Sequence, residues 1–400
     1  MKLAKKKIKT TNSIKFINLI DKIPIKYHYF VFFVLITFAS LFFCTLYISK
    51  FNNIIDDNSN MIFKNIAFGH GPLIDNLINQ GSYYGDYFNI KFILQKLPVL
   101  PILIFLLAKI THNFYILVTI KNLILFTILF FSLHFYLKSL NIKFSYFFIF
   151  FIAYLIPYNM LVTLNFEYAD NIVSILLPCL FLILLSKLED KYYFASVIFF
   201  LLYLTKTSML FLCIITPIII IIFERETFYR FKKYTILIGP VLAMIIWASF
   251  SYIKTERIAF GSKILSVNSI GMNVALNEKF NEYFPKKSMD LIHAKITIPK
   301  NIKKEWELSD YFDNQNKLYL SNKENLFKYI SNIPIKLKFI FFDINRDSAL
   351  PDKKGKFDNS IRYSLIPNKI FINLAFVVAI FSIVKSLINR KIFKEDFFFI

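Results

Sequence analysis

Apolar residues run through this chain in long blocks, and the polar residues gather between them. Tyr27–Ser49, Phe114–Leu137, Phe144–Thr163, Ile172–Ser186, Tyr193–Leu204, Thr207–Phe223, Tyr234–Tyr252 and Asn368–Val384 each carry almost no charge. A helix needs about 20 apolar residues to cross about 30 Å of hydrocarbon, so these blocks predict an all-α polytopic membrane protein of about eight transmembrane helices. The first block is too long for a cleaved leader, and no small-residue cleavage site follows it, so it reads as a retained span. Phe397–Ile400 reads as the start of a further span.

One block breaks the series. Leu97–Ile110 is 14 residues long and holds Pro98 and Pro101, which fits a re-entrant or interfacial helix better than a crossing. The distribution of cations supports that choice. Met1–Lys26 carries eight lysines and one acidic residue, so the N-terminus is expected in the cytoplasm. If Leu97–Ile110 does not cross, Lys138 and Lys143, Lys187 and Lys191, Arg225, Arg230, Lys232 and Lys233, and Lys385, Arg390, Lys391 and Lys394 all fall on the same side. Counting it as a span would put every one of those clusters outside, against the positive-inside rule.

The resulting plan has a basic cytoplasmic segment 1–26 and a transmembrane region 27–252 with an outer loop 50–113. An outer segment 253–368, mixed α/β or α and helical around Trp306–Ser331, comes before a last helix within 369–400. Gly69, Gly71, Pro72, Gly81 and Gly85 break the outer loop. Lys121 falls inside a span; it is expected to snorkel outward, or that helix to start later. There is no internal repeat.

Composition agrees with a membrane protein: 56% of residues are hydrophobic and mean hydropathy is +0.52. The net charge of +22 raises a nucleic-acid reading, but the lysines cluster at helix ends and form no stripe with interleaved aromatics, so no nucleic-acid partner is expected. Cys44, Cys179 and Cys213 lie inside apolar blocks and read as buried small hydrophobes, not a disulfide framework. The five histidines show no ligand spacing.

With that topology, four outer elements carry candidate chemistry. Asp56 and Asp57 lie just past the first span. Lys96 precedes the proline-bearing apolar helix, where a compact ammonium suits a phosphate at headgroup depth. Glu167 and Asp170 occupy a short turn with no cation, and Thr205-Lys206-Thr207 interrupts a long apolar run. A charge at the hydrocarbon boundary is costly and marks a functional candidate. Carboxylates and lysines around one cavity suit a reaction in which a carboxylate deprotonates an acceptor hydroxyl and lysines steady a leaving phosphate.

The order of these motifs resembles the polytopic GT-C glycosyltransferases of the dolichyl-phosphate-mannose mannosyltransferase and aminoarabinose transferase type (glycosyltransferase family 39-like). Asp56-Asp57 matches their acidic pair after the first span, and Gly69-His70-Gly71 or Gln80-Gly81 their Gly-containing amphipathic stretch. Lys96-Leu97-Pro98-Val99-Leu100-Pro101 matches the basic residue before a proline-bearing helix, Asp170 the acidic residue of the second outer turn, and Thr205-Lys206 a later Thr-Lys motif. Glu305 through Phe312, followed by Tyr329-Ile330-Ser331-Asn332-Ile333-Pro334, is similar to their loop before the last spans. There are two departures: no tyrosine follows Asp56-Asp57 at short spacing, and Leu97 separates Lys96 from Pro98.

The resemblance implies an inverting transfer from a polyprenyl-phosphate-linked sugar donor to a lipid, glycan or protein acceptor, at the outer face of a bacterial inner membrane and among its lipids. It implies Asp57 or Asp56 as base, Lys96 and Lys206 as phosphate contacts, and Asp170 with Glu167 orienting donor or acceptor. It assigns no certain cofactor and leaves a divalent cation open. The rival class is a transporter or flippase of lipid-linked saccharides, which predicts charges near the bilayer midplane and broken helices facing each other. A structural or assembly role without chemistry is the third reading.

Overall fold

The structure is a computed structural model that describes residues 25–51, 71–87, 90–94, 96–141, 169–223, 232–262 and 302–331. The described residues are mostly helical. The helices are α1 (Ile25–Phe51), α2 (Gly71–Gln80), α3 (Val99–Ile110), α4 (Phe114–Ser139), α5 (Asp170–Leu185), α6 (Lys191–Tyr203), α7 (Leu210–Phe223), α8 (Ile238–Thr255), α9 (Glu305–Ser321) and α10 (Lys323–Ser331). One antiparallel hairpin of β1 (Gly85–Tyr87) and β2 (Ile90–Phe92) lies between α2 and α3, with Gly85 opposite Phe92 and Tyr87 opposite Ile90. The outer loop thus contains strands that the apolar pattern does not announce.

Among the described residues, three helical stretches are long and apolar enough to cross a membrane: Tyr27–Thr45, Tyr115–Ser139 and Lys232–Thr255. Helices α5, α6 and α7 are apolar but shorter, at 16, 13 and 14 residues; at about 1.5 Å per residue they reach about 20 to 24 Å. The expected blocks Phe144–Thr163 and Asn368–Val384 lie outside the described residues.

Side-chain contacts fix the register of the bundle. On α1, Tyr29 meets Phe130, Phe131 and His134 of α4, with ring centroids 5.1, 5.7 and 6.2 Å apart, while Asn122 donates to Ser40 Oγ at 3.1 Å. The two helices are therefore antiparallel. Cys179 of α5 meets Ser132 of α4, and α6 packs on both α5 and α8. Gly239 lets α8 approach α6 closely: its N–H donates to Ser196 Oγ at 2.7 Å, and a Cβ there would lie 1.9 Å from the Ser196 carbonyl oxygen.

These contacts sort the helix ends into two faces. Lys138, Lys187, Lys191, Lys232 and Lys233 gather at one, where Lys232 pairs with Asp190 at 3.4 Å and Lys233 Nζ donates to the Ile221 carbonyl at 2.7 Å. The opposite face holds the starts of α4, α5 and α7, the ends of α6 and α8, and α9. Helix α3 has both ends there. Val99 N–H donates to the Leu204 carbonyl at 3.2 Å, and only Thr111–Asn113 separates Ile110 from the start of α4, where Asn113 caps the helix through Ile116 N–H at 3.2 Å. At 12 residues, or about 18 Å, α3 starts and finishes on one face of the bundle.

Lys121 departs from expectation. Helix α4 starts at Phe114, upstream of it, and the side chain does not reach a surface: Lys121 is fully buried beside Cys44 of α1. Snorkelling fails because the packed α1–α4 seam leaves no path along the helix surface. The three cysteines are free and buried, as their apolar surroundings predict.

Candidate functional site

The face opposite the lysine cluster is built from turns whose backbones hold one another. Helix α6 ends at Tyr203, and its last carbonyls fold the chain back: Thr205 and Lys206 N–H both donate to the Leu202 carbonyl, at 3.2 and 3.3 Å. This tight turn leads into a 3₁₀ turn, Thr207–Met209, and α7. Thr205 is buried and Lys206 emerges half-exposed. Across from it, Asp170 is the first residue of α5, where a carboxylate is favoured by the helix N-terminus. Lys206 Nζ and the Asp170 carboxylate form an ion pair. Two of the candidate residues, 36 positions apart, are thus brought together.

Lys96 joins the same face through its backbone. Tyr83 Oη donates to the Lys96 carbonyl at 2.7 Å, and three residues later Val99 N–H reaches Leu204, two residues before Lys206. The Lys96 side chain is half-buried. Burial raises the Tyr83 hydroxyl well above the usual phenol range, and the nearby Glu305 carboxylate adds to the effect, so Tyr83 stays a neutral donor at physiological pH. Its ring stands edge-on to Phe250, which stacks on Trp247. Upstream, Gly81 ends α2 at φ +65°, a left-handed stop suited to glycine.

The 255–262 segment lines the same face. Tyr203 Oη donates to the Phe260 carbonyl at 2.7 Å, Ser262 N–H donates to Thr207 Oγ1 at 2.9 Å, and Trp247 Nε1 donates to the Gly261 carbonyl at 3.3 Å. From here Arg257 reaches α9, pairing with Asp310 at 2.9 Å and lying 5.2 Å from the Trp306 ring centroid.

Asp56, Asp57 and Glu167 lie outside the described residues, so the expected base and the partner of Asp170 are not placed. Among the described residues, no group of three or more His, Cys, Asp or Glu side chains could hold a metal ion.

Sequence reasoning missed Glu305. It begins α9, is buried, and accepts from Ile93 N–H at 2.8 Å and from Leu94 N–H at 2.9 Å. An acidic residue in a first helical turn is ordinary, and no local signal reports acceptance from backbone more than 200 residues earlier. No protein-family model, curated protein or solved structure matches this chain.

Proposed function

We propose that the chain is a membrane glycosyltransferase of GT-C type, with about eight spans in a bacterial inner membrane, that uses a polyprenyl-phosphate-linked sugar at its outer face. The observation that carries the reading is the meeting of the Lys206–Asp170 pair and the Lys96 segment on the helix-bundle face opposite the lysine cluster. An amphiphilic donor presents its phosphate at headgroup depth, where cations on short turns meet it without crossing hydrocarbon.

In the proposed reaction the acceptor hydroxyl oxygen attacks the anomeric carbon. The bond from that carbon to the phosphate oxygen breaks with its electron pair going to the phosphate, and the hydroxyl proton passes to the Asp57 or Asp56 carboxylate. Polyprenyl phosphate leaves with one additional negative charge, which Lys96 and Lys206 stabilise. Asp170 holds Lys206 in place until the donor arrives.

The transporter reading draws on one specific observation, the fully buried Lys121 of α4. A buried charge inside a span is a feature of transport pathways.

The test is binding of a long-chain polyprenyl monophosphate, compared with the phosphate-free polyprenol, to purified protein in phosphatidylcholine nanodiscs. The expected result is phosphate-dependent binding weakened by Lys96→Gln and by Lys206→Gln. Equal affinity for the two lipids would overturn the proposal. Turnover of a panel of polyprenyl-phosphate hexoses and pentoses then separates transferase from carrier, since a carrier leaves the donor intact.

A further inference from the structure

The outer segment does more than cover the bundle. Two acidic residues at the start of α9 perform different tasks. Glu307, the third residue of the helix, turns back to accept from Lys303 N–H at 3.0 Å and Lys304 N–H at 3.2 Å, which is local capping. Glu305 turns away from its own helix. Its carboxylate takes the consecutive N–H groups of Ile93 and Leu94, the second of which is fully buried. Lys304 pairs with Lys91 in a parallel bridge beside this contact. Consecutive backbone amides in loops have no ladder partner of their own, so this carboxylate is what satisfies them.

The hold on Glu305's side of Lys96 is matched on the other. Tyr83 Oη fixes the Lys96 carbonyl, and the Val99–Leu204 bond fixes the chain to the Lys206 turn. Lys96 thus sits on a strap held at Leu94 before the cation, at its own carbonyl, and at Val99 after it. Arg257 secures α9 itself through Asp310 and the Trp306 ring.

We propose that Glu305 and Tyr83 are positioning residues that lock the Lys96 backbone against the Lys206 turn, so that segment 302–331 sets the spacing of the two cations that receive the lipid phosphate. What the cations receive rests on the function proposed above; the lock does not. An anion site needs its donors held within about half an ångström by supporting contacts, and the described strap residues Leu94 and Lys96–Pro98 lie outside helix and strand, so regular structure does not supply that rigidity.

The experiment combines amide hydrogen exchange with binding of polyprenyl monophosphate, polyprenol serving as control, on full-length protein in nanodiscs. In Glu305→Ala, exchange across residues 91–97 is expected to rise at least about tenfold while α5 and α6 stay protected, and phosphate-lipid affinity to fall about tenfold with polyprenol binding unchanged. Tyr83→Phe, which removes only the hydroxyl, is expected to give a smaller change of the same kind. Adding Lys91→Cys and Lys304→Cys to Glu305→Ala and oxidising the pair should restore both readouts. If Glu305→Ala fails to fold, Glu305→Gln, which keeps the side-chain volume and one oxygen acceptor, is measured instead and is expected to give a smaller rise in exchange and a smaller loss of phosphate affinity.

Faster exchange with unchanged phosphate affinity overturns the positioning role, and weaker affinity with unchanged exchange overturns the lock. If wild-type protein binds the two lipids equally, the lipid-phosphate reading fails. The lock then stands or falls on whether Glu305→Ala frees 91–97 and the cross-link protects it again.

Discussion

The ion pair between Lys206 and Asp170 allows a prediction that separates a functional contact from a structural strut. The two side chains are 37% and 62% exposed, so water screens their attraction and the pair contributes at most about 1 kcal/mol to folding. Asp170→Asn should therefore shift thermal unfolding by about 2 °C or less in a chain of this size. Its effect on a bound phosphate runs the other way. A phosphate about 4 Å from Lys206 gains about 1 kcal/mol at the dielectric of water and about 4 kcal/mol at an effective dielectric of 20. The exposure of Lys206 puts the value near the lower end, about 1–2 kcal/mol, or about 5- to 30-fold in affinity. Lys206→Gln should weaken polyprenyl monophosphate binding by that factor. Asp170→Asn removes a competing negative charge and should tighten binding by about threefold to tenfold while impairing transfer. Both effects should shrink as salt is raised from 50 to 500 mM, because an exposed site is screened beyond about 10 Å at about 0.1 M. The assay is titration of the lipid into nanodiscs holding each variant, with thermal unfolding recorded in parallel. A strut predicts that both variants lose stability and binding together; weaker phosphate binding in Asp170→Asn refutes the electrostatic reasoning.

Three further outcomes follow from the geometry. Gly239→Ala must push α8 from α6 by about an ångström, since the new Cβ would start 1.9 Å from a carbonyl oxygen and real contacts stay beyond 3.0 Å; a loss of about 2–4 kcal/mol should show as a lower unfolding midpoint in detergent, and an unchanged midpoint contradicts the packing. Glu307 is held below the usual carboxylate range by the Lys303 and Lys304 backbone amides, and by Lys304 and Arg257 charges. A depressed folded value means that its contribution is present above the unfolded value near 4.5 and fades as pH falls through the lower folded value; amide protection at the α9 start, corrected for intrinsic exchange, should fall in wild type as pH drops below that range and should stay constant with pH in Glu307→Gln. Finally, Asn314 and Glu189 are both exposed, one on α9 and one at the lysine-rich face; an impermeant thiol reagent added outside cells should label Asn314→Cys and spare Glu189→Cys, and the reverse pattern inverts the proposed topology.

Much of the architecture was legible because it is local. The ends of α1 and α4 follow from where apolar runs stop, and the fold-back at Thr205-Lys206 follows from a cation in a run too long for one helix. The length and two prolines of Leu97–Ile110 led to the expectation of a helix confined to one face, and the structure ties both ends of α3 to one face of the bundle. Helix around Trp306–Ser331 was expected, and α9 and α10 cover it with a break at Asn322. What escaped depends on partners distant in sequence. Lys121 looked like a surface-seeking lysine, but the tight α1–α4 seam encloses it. Ser309 is buried, because α9 docks on the hairpin. That docking through Glu305 joins residues 211 and 212 positions apart, and no window of sequence contains both partners.

Lys121 also bears on the choice between transferase and carrier. It is seven residues into α4 from Phe114, about 10 Å along the axis, or about a third of the way through a hydrocarbon core of about 30 Å. A carrier that moves a phosphate through the bundle needs cations at successive depths. Among the described helices α1 and α4 to α8, Lys121 is the one cation placed at intermediate depth between the two faces, and it sits in a closed seam where Asn122 already bonds α1 through Ser40. Lys96 and Lys206, the cations at the site face, are on turns, and those turns are tied to one another by the Val99–Leu204 backbone bond, which would have to break for the two sides to open alternately. A rigid rim with one enclosed lysine behind it favours chemistry at a fixed face over passage through the bundle.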